Sequence, residues 1–265
     1  MKIDKASVNP ARSLYYGLFS KLFVFSQSED RFDKVTEVLG VLIENPIDDA
    51  SRDACVELKF FIENQGVQAL SDEYDLIFNV PSGETVRTTA SYYDEGFESG
   101  KKLVEVKNFM AKTKIRRDEK HYKESEDSIG FLVTFMHELI ELIIKGESEY
   151  ENLQHCLFKE VLNEFLDEFV QNLYENKKAV AYKEVAILLN SFLEFERLYF
   201  EVSKPKAKLK QKRVQEEESC GFIADVEAQR RAKNRIERSA DALVQSCSLE
   251  NDDDFVDAVD DETEV

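Results

Sequence analysis

The sequence predicts an all-α protein, a single helical-bundle domain with a C-terminal helical extension and an acidic tail. Three observations predict it. Pro and Gly number only 4 and 9 in 265 residues, so few turns and strand corners can be made. Hydrophobic residues make up 43 %, with 19 Phe, which is enough to fill one good core. Apolar side chains also recur at three- and four-residue spacing along most of the chain up to Tyr199.

The elements follow in order. Asn9-Pro10 reads as a helix start, with Asn as N-cap and Pro in the first turn, and Leu14, Leu18, Leu22 and Phe25 follow at helical spacing. A second helix is expected from about Asp30 to Glu44 and ends at Asn45-Pro46. A third carries Ala54, Leu58, Phe61 and Ile62 and stops at Asn64-Gln65-Gly66. A short fourth holds Leu70, Tyr74, Ile77 and Phe78 until Pro81-Ser82-Gly83 breaks it. Thr85 to Tyr93 has no partner strand and reads as an extended loop entering a helix. Leu103, Val106, Phe109 and Met110 mark the next helix, and Lys112 to Tyr122 a charged, exposed loop. Three strong amphipathic helices follow, centred on Ile129–Ile143, Leu153–Phe169 and Val185–Tyr199. Short connections between them imply antiparallel neighbours.

The character changes at Lys204. The expected divisions are an all-helical domain over 1–203, a basic linker over 204–222, a helical extension over 223–250 and a disordered acidic tail over 251–265. That tail alone holds eight acids within a net charge of −19. Such a charge repels nucleic acid and anionic lipid and favours a cationic partner. Cys55, Cys156, Cys220 and Cys247 form no CxxC, so reduced thiols in a cytoplasm are expected. No signal peptide and no membrane span is read in the sequence.

Catalytic patterns fail one by one. His137-Glu138 lacks the second His four residues on that a zinc protease helix needs, since Glu141 stands there. Glu160, Glu164, Asp167 and Glu168 lie on a helix without the Glu-x-x-His of di-iron bundles and read as a solvated face. His155 and Cys156 are helix neighbours pointing apart. No phosphate loop and no nucleophile elbow occurs, so no enzyme, no cofactor and no metal are expected.

Three stretches carry a family resemblance over about residues 10–200. They are Ala11–Phe23, Glu73-Tyr74-Asp75-Leu76-Ile77-Phe78-Asn79-Val80-Pro81 with Ala90-Ser91-Tyr92-Tyr93, and Glu124–Leu132. Together they resemble the TorD/DmsD family of redox-enzyme maturation chaperones. The third stretch departs from the family's Glu-Pro-x-Asp-His pattern, with Ser125 in place of Pro and Ser128 in place of His. The resemblance implies a cytoplasmic chaperone that binds the twin-arginine signal peptide of an apo molybdopterin oxidoreductase, of formate dehydrogenase or DMSO/TMAO reductase type, until its cofactor is inserted. The client-binding residues it implies are Tyr74, Phe78, Pro81, Ser91, Tyr92, Glu124 and Asp127. Acids at a helix start also serve as caps, and Tyr74 and Phe78 also read as core. A monomer and a domain-swapped dimer are both compatible. The alternative function is a helical scaffold acting through residues 223–246.

Overall fold

The protein is described here from a computed structural model that covers residues 5–26, 31–80, 85–118 and 122–206. The chain divides at 206/207 into two units, and only the first is described. The expected helical extension, the acidic tail and all of the linker beyond Lys206 lie outside the described residues. Of the linker's start, Lys204 is paired with Asp167 at 3.0 Å.

The described residues form nine α-helices and one π-turn. In chain order these are α1 (Lys5–Phe23), α2 (Val35–Glu44), α3 (Asp49–Phe78), α4 (Ala90–Glu95), α5 (Lys101–Ala111), α6 (Ile129–Ile144), α7 (Tyr150–Leu157), the π-turn (Phe158–Leu162), α8 (Asn163–Glu175) and α9 (Ala181–Phe200). The expected all-α class is observed. No described helix is long and apolar enough to cross a membrane.

Several boundaries differ from the sequence reading, each for a physical reason. α1 begins at Lys5, so Pro10 lies inside it. Asn9 is not the cap, because its side chain accepts hydrogen bonds from Arg12 Nη1 at 3.0 Å and the Tyr199 hydroxyl at 2.9 Å. α2 starts at Val35 after a turn in which Lys34 is left-handed (φ 63°). The expected third and fourth helices run together as α3 across a kink at Gly66, whose φ of 82° and ψ of 164° suit glycine. The end of the expected Thr85–Tyr93 loop is α4, and its Thr89 makes a single antiparallel bridge to Ser128.

α1 packs along α6, α3 along α9, α9 along α8, and α2 along α3. α1 and α6 approach closely at Gly17, where an added Cβ would stand 3.3 Å from the His137 ring. Phe19, Phe23, Phe169, Phe192 and Tyr182 are buried in a continuous aromatic core, with Phe192 stacked on Tyr15, edge-on to Tyr16 and tilted against Phe19. Beneath it lies a buried ion pair, in which Arg12 Nε and Nη2 meet the two carboxylate oxygens of Glu196. α9 starts without a cap of its own, and Glu73 of α3 supplies one. Glu73 Oε1 accepts from Val180 N (2.7 Å) and Tyr182 N (2.8 Å), and Oε2 from Ala181 N (3.1 Å).

Candidate functional site

Two chain segments that the sequence keeps apart meet where α4 and α6 begin. Thr88–Ser91 and Glu124–Ser128 exchange backbone bonds, Ala90 N to Asp127 O and Ile129 N to Thr88 O, both 2.8 Å. The Asp127 side chain completes the junction. Its Oδ2 accepts from Ser91 N at 3.0 Å at the start of α4, and Oδ1 accepts from the Ser125 hydroxyl. Ser128 caps α6, its hydroxyl accepting from Phe131 N at 3.2 Å. Ser91 is buried, and its hydroxyl accepts from Leu103 N at 3.3 Å, tying α4 to α5.

Asp127 is fully buried, so its hydrogen bonds hold the junction together. Asp127→Ala is expected to cost about 2 kcal/mol, because it strips a charged acceptor from a buried N–H. Asp127→Asn keeps an acceptor and should cost less. Urea denaturation of the two variants checks this.

The second half of the site centres on Tyr74, which is 1 % exposed. Its hydroxyl lies 3.1 Å from the Phe23 carbonyl oxygen and 3.4 Å from Glu124 Oε1. The Arg31 guanidinium covers one face of its ring at 4.0 Å, and Phe78 packs at 4.8 Å. Phe78 is half-buried, edge-on to Phe23 and Tyr182. Gly130 lets the end of α1 come this close, since an added Cβ would stand 2.8 Å from Phe23 O.

Glu124 is half-buried between these rings. Burial pushes its carboxyl up from the ordinary value, and the Phe25 main chain, the Tyr122 and Tyr74 hydroxyls and Arg31 draw it part of the way back. Its ionisation therefore works against the fold as pH rises through the raised value, and acidification relieves it. Burial and the nearby Glu124 also push the Tyr122 hydroxyl up. Four buried polar atoms in this neighbourhood lack a well-formed hydrogen bond: Glu124 Oε2, the Tyr122 hydroxyl, Arg31 Nε and Arg117 Nε. Native interiors rarely leave so many together.

Of the residues expected to bind a client, the structure joins Tyr74, Phe78 and Glu124 in one cluster and Ser91 with Asp127 in the adjoining junction. Tyr92 sits outside both, 36 % exposed, with the Arg87 guanidinium 5.5 Å from its ring. It lines a cavity of about 270 Å³ shared with Thr85, Val86, Asn172 and Glu175. Pro81 lies outside the described residues. Arg31, Tyr122 and Tyr182 were not read from the sequence. Arg31 and Tyr122 lie outside the helices, and Tyr182 sits in the first turn of α9, ahead of the apolar run that starts at Val185, so no spacing marks them. Among the described residues no cluster of His, Cys, Asp and Glu could hold a metal ion. Larger cavities, of about 670 and 600 Å³, lie away from this junction around the π-turn and the end of α9.

Residues 44–171 match the family model described as nitrate reductase delta subunit, a span that contains every expected client-binding residue. None of the curated proteins matches the chain. Among solved structures, a proposed redox enzyme maturation protein from Archaeoglobus fulgidus aligns with a TM-score of 0.46 and 19 % identity, over 70 % of this chain and 93 % of that one.

Proposed function

We propose, from the match of residues 44–171 to the nitrate reductase delta subunit family model, that the chain is a redox-enzyme maturation chaperone of the TorD/DmsD type and holds a molybdopterin oxidoreductase by its twin-arginine signal peptide before export. The client is taken in its apo form, in the cytoplasm, and released once its cofactor is in place. The chain's role in this reading is binding, with no catalytic step of its own.

One observation carries the reading. Glu124 Oε2 is a buried carboxylate oxygen without a well-formed hydrogen bond, beside aromatic rings and at a loop-to-helix junction. A guanidinium suits that oxygen, because its donors pair with a carboxylate in two parallel bonds. Tyr92 and the half-buried Phe78 offer apolar surface for the residues that follow the arginines. Tyr74, Ser91 and Asp127, all buried, frame the site and do not touch the peptide directly.

The test is calorimetric titration of the full chain with a twin-arginine leader peptide and with its twin-lysine counterpart. Glu124→Gln, nearly the same size, should weaken the arginine peptide about tenfold, which corresponds to roughly 1.4 kcal/mol. The sign with pH follows from the raised carboxyl. Only ionised Glu124 pairs with arginine, so affinity should fall on acidification, and should begin falling at a higher pH than an ordinary Glu would give. Equal binding by Glu124→Gln at neutral pH would sink the assignment.

A further inference from the structure

Among the described residues, two buried arginines lie over aromatic rings, and only one of them is matched by an acid. Arg12 stands over Tyr199 at 3.8 Å and Phe200 at 4.8 Å, and Glu196 meets it with both carboxylate oxygens. Arg31 is cradled in the same way, over Tyr74 at 4.0 Å and Phe32 at 4.7 Å, and is 9 % exposed. Its guanidinium makes one hydrogen bond among the described residues, from Nη2 to Leu22 O at 3.4 Å. That oxygen already accepts the Tyr182 hydroxyl at 2.7 Å, and Arg31 Nε has no well-formed partner.

The matching acid is one ring away. Glu124 Oε1 lies 3.4 Å from the Tyr74 hydroxyl, while Oε2 lacks a well-formed hydrogen bond. The Arg31 charge is felt there, as one of the influences that draw the Glu124 carboxyl down against its burial. A buried cation with a spare donor and a buried carboxylate with a spare acceptor thus share Tyr74 without sharing a hydrogen bond. Keeping two such groups apart is unfavourable, because neither has water in exchange. Arg12 and Glu196 show the same two groups joined.

We propose that Arg31 is an internal competitor for the leader site, a guanidinium that turns onto Glu124 when no leader is bound and parks on Tyr74, as described above, when Glu124 is open to receive one. The inference rests on the reading of Glu124 as the acceptor of a leader arginine. Two guanidinium groups cannot both hold one carboxylate by the same two-point bond, so a leader must displace Arg31 to bind. Rotation about the side-chain bonds of Arg31, on the turn before α2, is the movement required. The rings of Tyr74 and Phe32 give the displaced cation a favourable place to rest, which keeps the opening cheap. The device sharpens selection, since a peptide without arginine has nothing to offer Glu124 in place of Arg31. If Arg31 covers Glu124 for about nine-tenths of the time, it weakens leader binding about tenfold.

Two measurements on the full chain test the proposal, and the first uses no leader. The Arg31 Nε–H signal of 15N-labelled protein is assigned by its loss in Arg31→Lys. In Glu124→Gln its proton should exchange with water several-fold faster, because the closed pair is gone. Unchanged exchange overturns the proposal. The second is calorimetric titration with the twin-arginine leader peptide. Arg31→Met keeps an unbranched stem against the two rings and should bind about tenfold more tightly than wild type. Arg31→Met/Glu124→Gln should bind no more tightly than Glu124→Gln alone. Equal or weaker binding by Arg31→Met also overturns the proposal, and would mean that Arg31 supports the site instead of covering it. Circular dichroism checks that Arg31→Met folds. If it does not, Arg31→Lys takes its place; its ammonium cannot make the two-point bond, so it too should bind the leader more tightly than wild type. If the leader binds neither wild type nor variant, the leader-site reading fails, and the exchange measurement alone decides whether Arg31 covers Glu124.

Discussion

Glu196→Ala is expected to destabilise the protein by about 3–5 kcal/mol, the usual cost of stranding one charge of a buried pair. Arg12 and Glu196 are both fully buried. Burial opposes the charge on Arg12, but the facing Glu196 carboxylate outweighs it and holds the guanidinium's pKa above its already high value. The remaining donors and acceptors are used as well. Arg12 Nη1 donates to Asn9 Oδ1 at 3.0 Å and Gln154 Oε1 at 3.1 Å, and the Tyr16 hydroxyl donates to Glu196 Oε2 at 2.7 Å. Tyr199 and Phe200 flank the guanidinium at 3.8 and 4.8 Å. Removing Glu196 leaves Arg12 charged and surrounded by aromatic rings. The double variant Arg12→Met/Glu196→Leu removes both charges and should recover much of the loss, because desolvation then has nothing to penalise. Guanidinium denaturation of the three proteins decides it. A double variant no more stable than Glu196→Ala would mean that packing, not the uncompensated charge, sets the cost.

The second large effect is expected at Glu73. Glu73→Ala should cost about 3 kcal/mol, since three N–H groups at the start of α9 lose one charged acceptor inside the protein. Glu73→Gln retains one carbonyl oxygen and should fall between wild type and Ala. Hydrogen exchange separates this from a general loosening. The amides of Val180, Ala181 and Tyr182 should exchange faster in both variants while those in the middle of α6 keep their order of protection. Uniform acceleration everywhere would show instead that Glu73 matters through packing.

Glu73 also shows where the sequence stops being readable. The periodicity of α6 and α9 is written in consecutive residues, so their existence and type follow from spacing. A local cap is also within reach, as with Asp48 and Ser51, whose side chains each bond the other's main-chain N–H. The cap of α9 comes from 107 residues upstream, and the segment before Ala181 offers no side chain to announce it. Asp127 is similar. It could be read as a partner contact or as a cap of its own helix α6, and the structure shows it capping α4 across the bundle. Gly66 was legible as a break but not as a kink, because whether the helix resumes depends on what the next turn packs against. Arg31, which covers Tyr74, sits in a turn where neither spacing nor composition distinguishes it from any surface arginine. The resemblance to a known family located the junction of Tyr74 with Glu124, and only the fold reveals that Tyr74 is sealed inside it.

The π-turn at Phe158–Leu162 has a consequence for how one rod of chain can face two ways. α7 and α8 form a single continuous length of helix, yet α7 lies against α5 and α6 while α8 lies against α4 and α9. A regular helix presents one apolar stripe along its whole length. One residue too many in a turn advances everything downstream by about 100° of azimuth, like a thread that has slipped one notch. The Glu160 carbonyl, at the slip, takes the Lys102 ammonium at 2.7 Å. The extra residue thus works as a phase shifter, turning the stripe from one wall of the bundle to the other without a loop between them.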